Sequence, residues 1–319
     1  MRVLVTGAAG FVGSHLSELA LERGLNVVGI DNFDPFYDPS LKKENIELAL
    51  ENDRYTFFEG DLRDKKFLES IYNKFQIDCT VHLAAKAGVR PSLQNPFEYI
   101  SSNIEGTVSI MEVIKTQASK KLVFASSSSV YGQSIKIPFC ESDPLSEAIS
   151  IYAATKLSGE NFTKMYHNLY SLDVINLRLF TVYGPRQRPD LAISKFLSSC
   201  MKGEKITLFG DGSMQRDYTY VKDIVDGIFS AVERLDLKKG CYEIFNLGNS
   251  CPVSLSHLIS AVEKTVGKKC IIENKDVPQG DVSITYANIE EAKKYLNYEP
   301  KVNLMEGLQI FYNWMKIRY

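Results

Sequence analysis

The sequence predicts an α/β protein in which a doubly wound parallel sheet is followed by a smaller lobe of mixed α/β structure. Short apolar, β-branched runs alternate with amphipathic helical patterns through residues 1–180, which is typical of parallel strands joined by crossover helices. After about Gly184, prolines and glycines separate shorter elements. We therefore expect a first domain over residues 1–180 and a smaller lobe formed mainly by residues 181–319.

The expected elements follow one another in a regular order. Strands of the main sheet are expected at residues 2–6, 25–30, 55–59, 79–83, 121–125 and 174–180. Helices are expected at residues 11–23, 64–74, 96–115 and 151–170, and shorter ones near 193–201, 221–234, 255–265 and 289–296. A later run, Tyr242–Leu247, could return to the main sheet as a further strand.

The composition is that of an ordinary globular protein and excludes several functional classes. The 319-residue chain is 45% hydrophobic and 24% charged, with a formal net charge of −2, so it offers no electrostatic case for nucleic acid or an anionic membrane as a partner. Its six cysteines show neither a C-x-x-C pair nor zinc-site spacing, which indicates reduced thiols and no metal site. No apolar run has the length of a membrane span, and the first strand begins without a signal segment. We expect a cytoplasmic protein.

A glycine-rich turn follows the first expected strand and opens the first expected helix. Gly7, Gly10 and Gly13 have the spacing G-x-x-G-x-x-G. In a Rossmann-type sheet, such glycines let the backbone approach a dinucleotide pyrophosphate, which lies against the N-terminus of the helix. Phe11 and Val12 would belong to the same turn. The alternative is a tight turn without a ligand.

Two aspartates stand at the ends of the next two expected strands. Asp31 lies where a carboxylate accepts hydrogen bonds from both ribose hydroxyls and favours NAD over NADP; the alternative is a turn residue before Asn32. Asp61, followed by Leu62, ends the third strand near the expected adenine position. It could equally be the N-cap of the helix that follows.

Tyr152 and Lys156 are four residues apart in an expected helix and therefore lie on one face. A nearby ammonium favours the phenolate and would lower the tyrosine pKa from its usual value of about 10. A phenol tuned in this way can act as a general base toward a sugar or alcohol hydroxyl. The alternative is a solvated lysine beside a half-buried tyrosine, because this spacing occurs by chance on many helices.

Small and polar residues follow the fourth and fifth strands. Ala84 and Ala85 would let the backbone approach a cofactor ribose, whereas we expect His82 to be a packed strand residue. Four serines at positions 126–129 lie at the edge where parallel sheets bind ligands; the alternative is a serine-rich loop. Asn103 is either an exposed helix residue or a residue that positions the lysine.

Together these features resemble the extended short-chain dehydrogenase/reductase family of nucleotide-sugar enzymes over essentially the whole chain. Within that family the sequence is most similar to UDP-glucuronate 4-epimerases, and this narrower resemblance is carried by residues 31–42, 87–90, 180–185 and 188–190. It implies an NAD-dependent enzyme that inverts C4 of UDP-glucuronate through a 4-keto intermediate to give UDP-galacturonate. It also implies a second lobe that binds the UDP-sugar, and a homodimer formed through helices near 96–115 and 152–170.

The resemblance implies a role for each matching residue. Tyr152 is the base, Lys156 binds the nicotinamide ribose and lowers the tyrosine pKa, and Ser127 assists the proton transfer. The other implied cofactor contacts are Gly7, Gly10, Phe11, Val12, Gly13, Asp31, Asn32, Lys42, Asp61, Leu62, Ala84, Ala85, Lys86 and Asn103. The implied substrate contacts are Arg90, Ser127, Ser128, Ser129, Tyr152, Thr181, Arg188, Lys195, Phe196, Phe209, Arg216 and Asp281.

These substrate contacts divide by the part of the UDP-sugar that they would hold. Arg216 would grip the diphosphate, because a guanidinium suits bidentate binding of phosphate oxygens. Arg188 is the candidate ligand of the glucuronate carboxylate, with Arg186 as the alternative. The uridine would be held by Lys195, Phe196, Phe209 and Asp281.

Three other functions stay open on the sequence. UDP-glucuronate decarboxylases and sugar 4,6-dehydratases typically carry an acidic residue where this chain has Ser129, and dehydratases a second one at the position of Ser128. The common UDP-galactose 4-epimerases have asparagine at the position of Thr181, which speaks against UDP-glucose or its N-acetyl form. A non-catalytic NAD-binding regulator usually lacks the tyrosine or the lysine. One departure from the glucuronate epimerases is Lys86, where they commonly have glutamine.

Overall fold

The structure is a computed structural model that describes residues 1–145, 147–276 and 282–318. Within these ranges the strands are β1 (Arg2–Thr6), β2 (Asn26–Asp31), β3 (Tyr55–Glu59), β4 (Cys79–His82), β5 (Lys121–Ser127), β6 (Asp173–Leu179), β7 (Thr181–Tyr183), β8 (Lys205–Phe209), β9 (Gln215–Tyr220), β10 (Tyr242–Leu247), β11 (Pro252–Ser254) and β12 (Ile271–Lys275). The helices are α1 (Phe11–Glu22), α2 (Pro39–Leu50), α3 (Lys65–Lys74), α4 (Val89–Gln94), α5 (Pro96–Tyr99), α6 (Gly106–Ile114), α7 (Ile151–Tyr170), α8 (Ala192–Lys202), α9 (Val221–Leu237), α10 (Leu255–Val266), α11 (Glu290–Leu296) and α12 (Leu304–Arg318). A π-helical turn, Ile100–Glu105, joins α5 to α6, and a 3₁₀ turn, Ser128–Tyr131, follows β5.

Seven strands form the main sheet in the order β10-β6-β5-β4-β1-β2-β3. Every neighbouring pair in this sheet is parallel, so the predicted doubly wound parallel sheet is confirmed. The strand order reverses between β1 and β4, and open α/β sheets bind their ligands at such a switch point. Strand β10 does return to the sheet, beside β6. The division of the chain into two domains at residue 180 stays a prediction.

The main sheet is covered on both faces, which explains its nearly continuous apolar strands. In β1, Val3 and Val5 pack into one core cluster with α1 and α9 residues, whereas Leu4 packs into the opposite cluster. Side chains alternate between the faces of a strand, so each face of the sheet receives its own layer of helices. The carboxyl ends of the strands are left to meet at one edge.

Two smaller sheets form most of the second lobe. One has the order β11-β9-β7 and the other pairs β12 with β8. Buried Asp217 on β9 holds this lobe together, because its carboxylate accepts hydrogen bonds from the backbone N–H groups of Asn249, Ser250 and Ala287 at 2.7, 3.0 and 3.1 Å. The lobe is thus of mixed α/β structure, as expected.

The structure differs from the predicted elements in two respects. The helix expected at residues 96–115 is broken by the π-helical turn, and residues 39–50, 89–94 and 304–318 form helices that were not predicted. No helix in the described ranges is long and apolar enough to cross a membrane. Over the same ranges, the acidic, histidine and cysteine side chains form no group suited to a metal ion, and the six cysteines are free.

Candidate active site

A cavity of about 420 Å³ lies along the carboxyl edge of the main sheet. It runs past the ends of β1, β2, β3, β4 and β5 and reaches the start of the second lobe. This volume is within the range of small-molecule sites. The structure brings the following sequence-predicted site residues to its wall: Gly7, Gly10, Phe11, Val12, Gly13, Asp31, Asn32, Lys42, Asp61, Leu62, Ala84, Ala85, Lys86, Ser127, Ser128, Ser129, Tyr152, Lys156, Thr181 and Arg188.

The glycine turn requires glycine at two positions for different reasons. Gly7 has φ +70°, and a Cβ there would lie 2.9 Å from the backbone of Ala84. A Cβ on Gly13 would lie 2.0 Å from the carbonyl oxygen of Gly7. Strand, turn and helix therefore approach one another as closely as backbones allow, and the free N–H groups of the first turn of α1 face the cavity. This geometry suits a pyrophosphate.

Asp31 lies at the end of β2 and is only 6% exposed. Its carboxylate accepts hydrogen bonds from the backbone N–H groups of Ala9 and Phe33 at 3.2 and 2.8 Å. Burial raises its pKa, and the charge of Lys42 together with these hydrogen bonds opposes the rise. The Lys42 ammonium is 3.9 Å from the carboxylate and also donates to the carbonyl oxygen of Asp34 at 3.0 Å. Asp31 is therefore an ordered acceptor at the cavity wall, where a ribose would lie.

Asp61 has a different structural role from the helix cap that the sequence left open. Helix α3 is capped by Asp64, which accepts from the N–H of Phe67 at 3.0 Å. Asp61 instead accepts from Arg63 Nε and Nη2 at 2.8 and 2.6 Å and from Asn32 Nδ2 at 3.1 Å. The Arg63 hydrogen bonds hold the pKa of Asp61 below its usual range. The capping alternative is wrong for Asp61, and its carboxylate lies at the cavity.

Asn103 is buried in the π-helical turn and does not line the cavity. Its side chain accepts from the backbone N–H of Lys86 at 2.8 Å and donates to the carbonyl oxygen of Lys86 at 2.9 Å. It also donates to Thr155 Oγ1 at 3.0 Å. The expectation of an exposed helix residue is wrong, since Asn103 is buried and ties the loop after β4 to α7; its contact with the cofactor stays a prediction.

Lys86 forms ion pairs across the rim of the cavity. Its ammonium is 3.1 Å from Asp34 and 2.9 Å from Glu98. These pairs link the loop after β2 with the segment after β4 and with α5. A glutamine, which the UDP-glucuronate 4-epimerases commonly have at this position, could not form either ion pair.

Tyr152 and Ser127 meet at the centre of the cavity. Ser127 ends β5, and Tyr152 lies in the first turn of α7, which Ser150 caps by accepting from the N–H of Ala153 at 3.1 Å. The Ser127 hydroxyl lies close enough to the phenol to affect its pKa. The ring of Tyr99 packs edge-on against Tyr152 at 6.4 Å. The phenol and the Ser127 hydroxyl thus lie in the same cavity as the glycine turn.

The charge around Tyr152 differs from the prediction. Burial raises the pKa of Tyr152, while the Ser127 hydrogen bond and the positive charge of Arg188 oppose the rise. The Lys156 ammonium donates instead to the carbonyl oxygen of Ala125 at 2.8 Å. Burial lowers the pKa of Lys156 to about 8. Arg188, and not Lys156, therefore supplies the opposing cation in this structure, and the predicted fall of the tyrosine pKa is not found.

Arg188 enters the cavity from the loop after β7. Its Nε and Nη2 donate to the two carboxylate oxygens of Asp190 at 3.0 and 2.8 Å, and Nη1 donates to the carbonyl oxygen of Ala87 at 2.9 Å. The guanidinium lies 4.8 Å from the centre of the Phe36 ring. Arg186 is paired with Glu18 at 2.7 Å and lies away from the cavity wall. Of the two arginines, Arg188 is thus the one that a bound sugar can reach.

Five of the predicted substrate contacts do not line this cavity, namely Arg90, Lys195, Phe196, Phe209 and Arg216. Exposed Arg90 lies over the ring of Phe209 at 4.2 Å, and Phe196 is buried in the core. Arg216 donates to the carbonyl oxygen of Gln215 at 2.8 Å. Lys195 is exposed on α8. Asp281 lies outside the described residues.

The loop after β2 contributes cavity residues that the sequence reasoning missed. Phe36 and Tyr37 both line the wall, together with Asp34. The Tyr37 hydroxyl is buried and has no hydrogen-bond partner among the described residues. The sequence did carry a signal for these residues. The Asp-Pro pairs at 34–35 and 38–39 mark a loop after the carboxyl end of a strand, and such loops line the ligand crevice of open α/β sheets.

The cavity fits NAD by three independent observations. The glycine turn leaves room only for backbone, so a pyrophosphate can approach the helix. Asp31 presents a carboxylate where a ribose would lie, and the Tyr37 hydroxyl lacks a partner among the described residues. Fold and site together define a dinucleotide-binding α/β protein with a tyrosine and a lysine beside the nicotinamide position.

Comparisons with known proteins agree with this class. The family model described as GDP-mannose 4,6 dehydratase matches residues 4–311. A UDP-glucuronate 4-epimerase of Thermodesulfobacterium geofontis is 41% identical over 315 residues, covering 98% of this chain and 95% of the relative. The chain belongs to the extended short-chain dehydrogenase/reductase family, in the group of GDP-mannose dehydratase-like nucleotide-sugar enzymes.

Solved structures give the same result. The crystal structure of UDP-glucuronic acid 4-epimerase from Bacillus cereus in complex with UDP-glucuronic acid and NAD has a TM-score of 0.94 and 37% identity, with both chains covered fully. The UDP-glucose 4-epimerase of Thermotoga maritima with UDP-glucose has a TM-score of 0.90 and 31% identity, covering 100% of this chain and 99% of that one. The fold is thus common to epimerases of different sugars, and the choice of sugar depends on the site.

His82 is a packed strand residue, as predicted. It is 2% exposed, and its ring nitrogens pair with Thr6 Oγ1 at 2.8 Å and Thr107 Oγ1 at 3.0 Å. Burial lowers the pKa of His82 to about 3, below the value of about 6.5 that an unfolded chain would show. The stability that the neutral ring contributes is therefore complete above pH 6.5 and is lost as the pH falls toward the folded pKa.

We expect the free energy of unfolding of the wild type to fall between pH 6.5 and 5 by about 1.5 kcal/mol more than that of His82→Gln, which has no ring to protonate. Urea unfolding at several pH values measures the difference. His257→Gln, at an exposed position, should follow the wild type. Parallel pH dependences for the wild type and His82→Gln would contradict the prediction.

Proposed function

We propose that this protein is an NAD-dependent UDP-glucuronate 4-epimerase, which inverts C4 of the sugar to give UDP-galacturonate. The observation that carries the proposal is one shared cavity. The Tyr152 phenol with its Ser127 partner, and the Arg188 guanidinium, face the glycine turn and Asp31. A base, a dinucleotide cradle and a cation suited to a sugar carboxylate therefore lie in one cavity, where NAD and a UDP-sugar would be bound side by side.

The residues at the end of β5 and the start of α7 would carry the proton chemistry. Bound NAD⁺ supplies the group that accepts a hydride from sugar C4 and returns it to the other face. The Ser127 hydroxyl stabilises Tyr152 as a phenolate, and this phenolate removes the proton from the C4 hydroxyl and becomes a neutral phenol. The 4-keto sugar turns about its link to the diphosphate, and Tyr152 returns the proton to O4. Lys156 holds the cofactor ribose with its ammonium, which is already fixed at Ala125.

Arg188 would protect the intermediate as well as select the substrate. A 4-keto glucuronate is a β-keto acid and loses CO₂ readily when its carboxylate is free to rotate. Arg188 has little freedom, because Asp190 and Ala87 hold it on two sides. A carboxylate bound to this guanidinium would be kept in one plane. The hydroxyls of Ser128 and Ser129 line the same region and offer no carboxyl group as an acid for dehydration.

Asp31 supports NAD rather than NADP as the cofactor. Its carboxylate is buried and fixed by two backbone N–H groups, so it would accept from ribose hydroxyls and repel a 2′-phosphate. The cytoplasm is the proposed location, since the chain carries six free thiols, as is usual in a reducing compartment.

A homodimer is proposed through α4, α5 and α7. Apolar side chains are exposed on these helices, among them Phe97 at 83%, Leu169 at 65% and Leu93 at 49%. Helix α7 contacts both α4 and α5, so the exposed apolar side chains lie on adjacent helices. Exposed apolar surface of this kind favours burial against a second copy.

The activity itself is tested with UDP-glucuronate and NAD⁺. We expect conversion to UDP-galacturonate without release of CO₂, and a loss of at least 10²-fold in kcat for Tyr152→Phe, because the general base is removed. Product chromatography and a CO₂ trap measure both outcomes. Tyr170→Phe, at the far end of the same helix, should keep wild-type kcat. A UDP-pentose as the main product, or full activity in Tyr152→Phe, would overturn the proposal.

Arg188→Ala tests the carboxylate assignment. We expect the dissociation constant of UDP-glucuronate to rise about 10- to 100-fold, the usual effect of losing a hydrogen bond to a charged group, while that of UDP-glucose changes by less than about 3-fold. Calorimetry on the NAD-loaded protein measures both ligands. Arg186→Ala is the matched control, since it removes a guanidinium from the same loop but away from the cavity. Equal losses for the two sugars would end the assignment.

Phe97→Glu tests the dimer. A charge at the centre of an apolar interface is costly to bury, so we expect the variant to be a monomer by light scattering at concentrations where the wild type is a dimer. Ile135→Glu is the control, because Ile135 is 99% exposed in a loop away from these helices. A wild type that is itself a monomer, or a dimeric Phe97→Glu, would rule out this interface.

A further inference from the structure

A buried ion pair lies directly behind the candidate active site. Arg178 on β6 donates from Nε and Nη2 to the two carboxylate oxygens of Glu160 on α7, at 3.0 and 2.8 Å. Arg178 is 3% exposed and Glu160 is 4% exposed. Neither residue lines the cavity, and the proposed reaction does not use them as reacting groups.

The pair is satisfied by further hydrogen bonds from the elements around the site. Ser126 Oγ donates to Glu160 Oε1 at 2.5 Å. Arg178 Nη1 donates to the Tyr131 hydroxyl at 3.0 Å, and that hydroxyl donates to Asn246 Oδ1 at 2.7 Å. The network therefore joins α7 to β5, β6, β10 and the 3₁₀ turn after β5.

Helix α7 lies against three successive residues of β5. Glu160 lies two turns after Tyr152 and one after Lys156, so the three side chains share a face of the helix. Lys156 bonds to the carbonyl oxygen of Ala125 and Glu160 to the side chain of Ser126, and the Tyr152 phenol lies near Ser127. These contacts fix both the rotation of the helix and its position along the strand.

The fit of the helix against the strand is also close. A Cβ on Gly159 would lie 2.3 Å from the ring of Phe124, so α7 could not approach β5 with a larger residue there. Apolar packing resists separation of the two elements, but it tolerates small rotations and sliding. A planar guanidinium bound at two oxygens tolerates neither.

Energetics favour a geometric role over a stabilising one. Removing two charges from water is costly, and a well-packed apolar pair of the same volume is often as stable as a buried ion pair. What the ion pair adds over an apolar pair is a fixed orientation of the two side chains. We propose that Glu160 and Arg178 are positioning residues that hold Tyr152 against Ser127 by fixing α7 on β5. This inference rests on the proposed function, in which Tyr152 is the base and Ser127 its partner.

The test uses Glu160→Gln, which keeps the size of the side chain but turns one acceptor into a donor facing the guanidinium. Its matched control is Glu243→Gln. That change breaks another bidentate pair between a helix and a strand, in which Arg234 Nε and Nη2 of α9 bond to Glu243 of β10 at 2.5 and 2.7 Å. Crystal structures of the three proteins measure the distance between the Tyr152 hydroxyl and Ser127 Oγ. We expect this distance to be longer in Glu160→Gln than in the wild type and unchanged in Glu243→Gln.

Kinetics with UDP-glucuronate supply a readout that a merely structural role would not change. We expect Glu160→Gln to lower kcat by at least about 10-fold with KM within about 2-fold, and Glu243→Gln to change neither, since only the former weakens a transition-state contact. In a Ser127→Ala background the same Glu160→Gln change should cost less than about 3-fold, because coupled residues are not additive. Additive losses would overturn the inference, and so would an unchanged Tyr152–Ser127 distance.

A second variant covers the case in which Glu160→Gln fails to fold. The double change Glu160→Met with Arg178→Met refills the buried volume without charge, which such sites often tolerate. We expect it to fold with a longer distance between the Tyr152 hydroxyl and Ser127 Oγ; an unchanged distance would overturn the positioning role. A wild type inactive on UDP-glucuronate would count against the proposed function alone, since the crystallographic distance decides the positioning role without turnover.

Discussion

The candidate active site depends on the way one helix lies against one strand. Helix α7 is bound to the end of β5 by an ammonium and a carboxylate, and its Tyr152 phenol lies near the next strand residue, Ser127. The glycine turn and Asp31 are positioned by the same parallel sheet, because all of its strands end at one edge. A parallel sheet with a crossover helix therefore does more than form a core. It brings the cradle of the cofactor and the base into one cavity from sequence positions more than a hundred residues apart.

Burial acts on both members of the tyrosine–lysine pair. It raises the pKa of Tyr152 and lowers that of Lys156 to about 8, so each group is pushed toward its neutral form. Arg188 is the cation that opposes this effect at the phenol. The residue that we assign to the sugar carboxylate is thus electrostatically coupled to the base. Recognition of the substrate and tuning of the proton acceptor are in this way linked.

Much of the site could be predicted from the sequence because it lies in motifs with short-range geometry. The glycine turn, Asp31 and the serines after β5 are each adjacent to a strand, and the sheet then places them together. The tyrosine–lysine spacing predicted a shared helix face, which is found. The direction of the tyrosine pKa could not be predicted, since it depends on burial and on Arg188, which is distant in sequence.

Other residues could not be assigned because their partners are set by tertiary contacts. Asn103 faces inward only because a π-helical turn interrupts the helix that the sequence predicted as continuous. Asp61 is bonded to Asn32 in the loop after β2 as well as to Arg63, instead of capping α3. Glu160 and Arg178 carry no sequence signal of their own, since a charged residue on a helix is usually solvated. Their pairing appears only when α7 and β6 are packed together.

Strand β10 has a consequence for how the protein is made. It pairs with β6 along its whole length, although three small strands, α8 and α9 lie between them in the chain. During synthesis, β6 therefore stays an unpaired sheet edge until the ribosome has passed residue 247. Exposed edges of this kind invite pairing with other chains. The hydrogen bond from Tyr131 to Asn246 also forms only then, so the surroundings of the active site are completed late, by a segment that lies beyond the expected domain boundary.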